Sequence, residues 1–94
     1  MHFSLKFIGA LRHVTGDEKI TLSCEECKSV VELIKYLGRQ IPELRRSLID
    51  EQFSVTRTNA LILINGKEIS VLEGLETILN DGDEIVFVPV VHGG

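Results

Sequence analysis

One stretch of this chain changes its hydrophobic period, and that change limits the folds open to it. Val30, Val31, Leu33, Ile34, Leu37 and Ile41 recur at helical spacing, which predicts one apolar stripe along a single helix. The other apolar segments alternate or run continuously, as strands do. One long helix cannot flank both faces of a sheet, so it must pack across a single face. Ser29, with Glu32 three residues on, forms a capping box that starts this helix. Pro42 disfavours helical backbone at Ile41 and stops it. Pro42 also suits the first position of a second, short helix carrying Leu44 and Leu48 on one face.

The strands follow from the period-2 runs. Residues 2–9 alternate, with Phe3, Leu5 and Phe7 on one side and Ser4 and Lys6 on the other. After a turn at Thr15-Gly16-Asp17, residues 18–23 alternate again, and the two runs read as a hairpin. Residues 50–58 are a polar connection. Residues 59–64 form a strand apolar on both faces, expected to be central. Asn65-Gly66 is a strong hairpin signal, with a short return strand around Glu68-Ile69-Ser70. Residues 71–80 read as an irregular or 3₁₀ connection, and residues 84–90 as the last strand. The order is β-β-α-(α)-β-β-β. Pairing the aliphatic-rich first and last strands centrally in parallel closes the core. The expected fold is α+β, a β-grasp: a mixed sheet of four to five strands with one main helix and a short second helix on one face. The domain takes residues 1–90, and residues 91–94 are a flexible tail.

The bulk numbers exclude several classes. Ninety-four residues make one domain. A chain this size buries roughly 60–65% of its unfolded surface, so a core without disulfide staples is feasible. No apolar run reaches the ~18 residues of a membrane span. Met1-His2-Phe3-Ser4-Leu5-Lys6 lacks the pattern of a signal peptide, which leaves the cytoplasm as the expected location. Net charge is −4, and the ten basic residues are scattered rather than striped, so direct nucleic-acid binding is not expected. Such a chain suits docking onto a basic or apolar protein surface.

Cys24 and Cys27 form a lone C-x-x-C. One pair supplies half of a tetrahedral zinc site, and neither His2 nor His13 stands at a helical ligand spacing to complete it. Neither metal nor cofactor is expected. The pair reads as reduced thiols near a helix start; redox sensing, or metal shared across a dimer, are the alternatives.

The chemistry lies in the last residues, Val90-Val91-His92-Gly93-Gly94. Two terminal glycines arise by chance in roughly 0.5% of chains, given ordinary glycine usage. A frayed end explains disorder, but not an apolar strand that runs straight into Gly-Gly. A free carboxylate is a poor electrophile until adenylylation makes it a mixed anhydride, open to sulfur or nitrogen nucleophiles. An enzyme that does this must thread the terminus through a narrow channel, and residues without Cβ pass it closely. The strand beneath is a rigid base for the tail.

These features resemble a known family. Asp81-Gly82-Asp83-Glu84 before an apolar strand, then Pro89-Val90-Val91-His92-Gly93-Gly94, looks like the small subunit of molybdopterin synthase. Its relatives are the thiamine-pathway sulfur carrier, archaeal small modifier proteins and the ubiquitin-related modifier of tRNA thiolation. Residues 7–12 and 37–45 are similar to the synthase-subunit branch, while the His-Gly-Gly ending is nearer the ubiquitin-related modifier. The resemblance implies a sulfur carrier that is a co-substrate, not an enzyme. Gly94 is adenylated and thiocarboxylated with Gly93 beside it, and the sulfur goes most plausibly to molybdopterin. The implied partners are an ATP-dependent activating enzyme and either the large synthase subunit or a tRNA-thiolating enzyme. Conjugation of Gly94 to lysines is the alternative, and a ubiquitin-like binding domain with accidental glycines the bland one.

Strand parity then nominates the docking surface. Phe3, Leu5 and Phe7 should face the helix, which puts Ile8 outside. Glu84 is polar, so Ile85 and Phe87 should point inward and Val86, Val88 and Val90 outward. Ile8, Val86, Val88, Val90, Val91 and His92 are therefore the expected partner-binding residues.

Overall fold

The structure, a computed structural model, describes residues 1–48 and 60–89. It contains β1 (His2–Phe7), α1 (Leu11–Thr15), β2 (Lys19–Ser23), α2 (Val30–Gln40), α3 (Pro42–Leu48), β3 (Ala60–Ile64), β4 (Lys67–Glu68) and β5 (Glu84–Pro89). Two 3₁₀ turns, Ile69–Val71 and Gly74–Glu76, lie between β4 and β5. The five strands form one mixed sheet in the order β2-β1-β5-β3-β4. β1 and β5 run parallel, and every other pair is antiparallel. This is the β-grasp.

Local chemistry sets the helix ends. Ser29 Oγ accepts the Glu32 N–H at 3.4 Å and donates to the Glu32 carboxylate at 3.0 Å, which starts α2. Ile41 is extended (φ −132°, ψ 91°) ahead of Pro42, and α3 begins at that proline. Val30, Leu33, Ile34 and Leu37 are buried against the sheet. Each contributes about 1.5–3 kcal/mol by leaving water. Phe3, Leu5, Phe7, Ile62, Ile64, Ile85 and Phe87 face them, and Leu44 and Leu48 extend the same core from α3.

Several expectations change. β1 ends at Phe7, and α1 occupies the connection to β2. Five residues with one buried apolar side chain, Leu11, carry no readable period. The return strand is only Lys67–Glu68, because the chain turns into the first 3₁₀ segment at Ile69. The central strand is β5; β3 lies between it and the two-residue β4.

Asn65 takes a left-handed conformation (φ 50°) before Gly66, as the hairpin signal requires. Its side chain also ties that turn to the start of β5. Asn65 Nδ2 donates to Asp83 Oδ1 at 2.9 Å, and its Oδ1 accepts the Glu84 N–H at 2.9 Å. Asp83 is buried, and its other oxygen accepts the Asn80 N–H at 2.8 Å. Every donor around this carboxylate therefore has a use in holding β5 at its base. At the same end, the Met1 ammonium donates to Glu25 at 2.9 Å and holds that carboxyl below its ordinary range.

The cysteines are a correction. Cys24 and Cys27 are bonded as a disulfide, not held as free thiols. The loop between β2 and α2 brings their Cα atoms to 5.7 Å, inside bridging range, with both residues buried. Replacing both with alanine should lower stability by about 2 kcal/mol, the loop-closure value for so short a bridge. The pair lies at the pole away from the C-terminal end of β5, so the end of that strand should be undisturbed. Thermal melts of the variant with and without reductant check the stability loss.

Candidate functional site

The site is built around the C-terminal half of β5. That strand is held on both sides: Ser4–Phe7 pair with Glu84–Phe87, and Ala60–Ile64 pair with Ile85–Pro89. The pairing runs without a bulge, so the alternation holds along the whole strand. Ile85 and Phe87 are buried, and the Phe87 ring stacks on Phe7 with centroids 5.1 Å apart and planes 8° from parallel. This stack fixes the C-terminal half of β5 against β1.

Val86 and Val88 lie on the opposite, outer face, both half-buried. Ile8, just past β1, joins them there, its N–H donating to the Phe87 carbonyl at 3.0 Å. Two residues that parity reading did not nominate complete the surface. Leu61 is paired with Val88, Leu63 is paired with Val86, and Leu61 is 38% exposed. Partners in register stand about 4.5–5.5 Å apart at Cβ, so these five side chains form one apolar patch. Lys6, paired with Val86, and Glu84 border it. Val90, Val91, His92, Gly93 and Gly94 lie outside the described residues.

A strand apolar on both faces, with one face covered by a helix, exposes the side chains of the other, but its own sequence does not mark which face that is. Arg12, in α1 beyond the end of β1, and Glu84, at the start of β5, stand at opposite ends of the sheet, because β1 and β5 are parallel and Glu84 faces Ser4. Among the described residues, no three His, Cys, Asp or Glu side chains are grouped to hold a metal ion. No helix among them is long and apolar enough to cross a membrane.

Comparison with known proteins adds the family context. The sequence matches the ThiS family over residues 5–94. Small archaeal modifier protein 3 of Haloferax volcanii is 29% identical over 94 residues, covering 100% of both chains. Ubiquitin-related modifier 1 of Schizosaccharomyces pombe is 27% identical over 97 residues, again across 100% of both. The solution structure of small archaeal modifier protein 1 from Methanosarcina acetivorans matches with a TM-score of 0.82 and 32% identity. That match covers 99% of this chain and 96% of the other.

Proposed function

The chain belongs to the ThiS family of ubiquitin-like sulfur carriers, and on that premise we propose that its reacting group is the carboxylate of Gly94. An ATP-dependent activating enzyme in the cytoplasm adenylates that carboxylate, with loss of pyrophosphate. Hydrosulfide then attacks the carbonyl carbon, the bond to the phosphate oxygen breaks, and AMP leaves a thiocarboxylate behind. A second enzyme takes the sulfur, most plausibly the large subunit of molybdopterin synthase making a dithiolene precursor; a tRNA-thiolating enzyme is the other acceptor. The protein supplies the reacting group and a docking surface and is no catalyst itself. The observation that carries this reading is the family match running through Gly94, above a strand end anchored by the Phe7–Phe87 stack.

The outer patch of Ile8, Leu61, Leu63, Val86 and Val88, with Val90, Val91 and His92 following in sequence, is the surface both enzymes grip. An apolar patch on a small domain marks a partner site. Val88→Asp should leave the melting temperature near wild type and weaken docking to the activating enzyme, because an unpaired charge desolvated there costs a few kcal/mol. A melt and a binding titration on the same sample test it. Unchanged affinity in the folded variant would move the docking surface elsewhere.

A second reading has its own support, since both full-length relatives are named modifiers. The same activated Gly94, attacked by a lysine amine, gives an isopeptide bond. Mass spectrometry of the protein from its native host separates the two. A terminus with one oxygen replaced by sulfur supports the carrier, and Gly94 remnants on lysines of other proteins support the modifier. A terminus found in neither form sinks both.

A further inference from the structure

The parallel pairing of β1 and β5 stops at one place for a chemical reason. Its last rung is the Ile8 N–H donating to the Phe87 carbonyl at 3.0 Å. In a parallel ladder the next rung is the N–H of residue 89 donating to the Ile8 carbonyl. Pro89 has no N–H to give. The Ile8 carbonyl instead accepts the Leu11 N–H at 3.3 Å, which starts α1. On its other side Pro89 remains in register with Ala60 of β3. The strand therefore parts from β1 while Pro89 is still in register with β3.

Gly9 makes that release fit. Its φ is +60°, the left-handed turn that sends the chain from β1 into α1. A Cβ at Gly9 would stand 3.3 Å from Pro89 Cγ and 3.8 Å from Cδ. Gly16 also has a left-handed backbone, φ +83°, yet a Cβ there meets nothing within 4 Å. Both are strained by a side chain, but only at Gly9 would that side chain meet Pro89.

We propose that Gly9 and Pro89 are a positioning pair that fixes where β5 parts from β1 on its way to the reacting terminus. Pro89 ends the ladder, and Gly9 seats its ring. This rests on the reading of Gly94 as the reacting group. Residues 90–94 can span at most about 16–18 Å when extended. Shifting their base by one residue, about 3.3 Å, takes roughly a fifth of that reach. Misplacement of a reacting atom by about 1 Å can cost a hundredfold in rate.

The test compares Gly9→Ala, Gly16→Ala and Pro89→Ala by ATP–pyrophosphate exchange with the activating enzyme of the same host. Both glycine variants should melt lower, through backbone strain. Only Gly9→Ala should lose kcat, at least tenfold, with KM for the carrier little changed because the docking patch is intact. Pro89→Ala should also lose kcat while keeping its melting temperature. Its new amide at position 89 should be protected from hydrogen exchange as the Leu11 amide loses protection. An active wild type with Gly9→Ala no slower than Gly16→Ala overturns the positioning role alone. An unprotected amide at position 89 of Pro89→Ala overturns the ladder stop. A wild type inert to the activating enzyme overturns the reading of Gly94 instead, and the exchange measurement still decides the ladder stop.

Discussion

A chain ending at Gly93, or carrying one residue after Gly94, should form no thiocarboxylate while melting as the intact protein does. Adenylation acts on a terminal carboxylate. Deletion moves that group back by one residue, about 3.3 Å, and extension turns the Gly94 carboxylate into an unreactive amide and carries the free carboxylate as far the other way. Loss of a group made to react at a fixed depth is not graded, so transfer should vanish. Stability has no reason to follow. Among the described residues, the buried core ends at Phe87, and changes away from a core usually stay within about 0.5 kcal/mol. The measurement pairs intact-mass detection of the sulfur-bearing terminus with thermal melts of all three chains. Retained thiocarboxylate formation in either variant would falsify the central reading.

Much of this was legible because it is local. The capping box at Ser29 and Glu32, the Pro42 boundary and the Asn65-Gly66 turn each depend on neighbours in sequence, and each appears where the residues place it. The alternation in β1 and β5 was equally readable, since Ser4, Lys6 and Glu84 mark the polar side. What escaped depends on partners distant in the chain. Leu61 and Leu63 carry no parity mark, because their strand is apolar on both faces, and only its register with Val88 and Val86 adds them to the patch. The ladder-ending role of Pro89 needs knowledge of the strand beside it. A C-x-x-C looks the same whether its sulfurs are bonded or free. The proposed role of the Gly94 carboxylate rests on the order of residues, an apolar strand followed by Gly-Gly, and on the family match that runs through it.

The remaining large effect concerns the strand that carries the tail. Phe87→Ala should cost about 3–5 kcal/mol of stability, as a truncation inside a packed core. Phe87 is fully buried, stacked on Phe7 and flanked in register by Phe7 on β1 and Ile62 on β3. Alanine there leaves a cavity at the middle of the sheet and removes the ring stack, itself worth about 0.5–1.5 kcal/mol. For a domain of this size that is a melting temperature lower by about 15–30 °C, out of a total stability of about 5–15 kcal/mol. Docking should weaken only as far as the folded fraction falls. Val88, the next residue, points the other way, so Val88→Asp should invert the pattern and lose partners without losing the fold. The two variants together test the face assignment of β5 independently of any pathway. If Val88→Asp unfolds the chain while Phe87→Ala merely loses its partners, the strand sits the other way over. The patch that leads into the tail would then be the core.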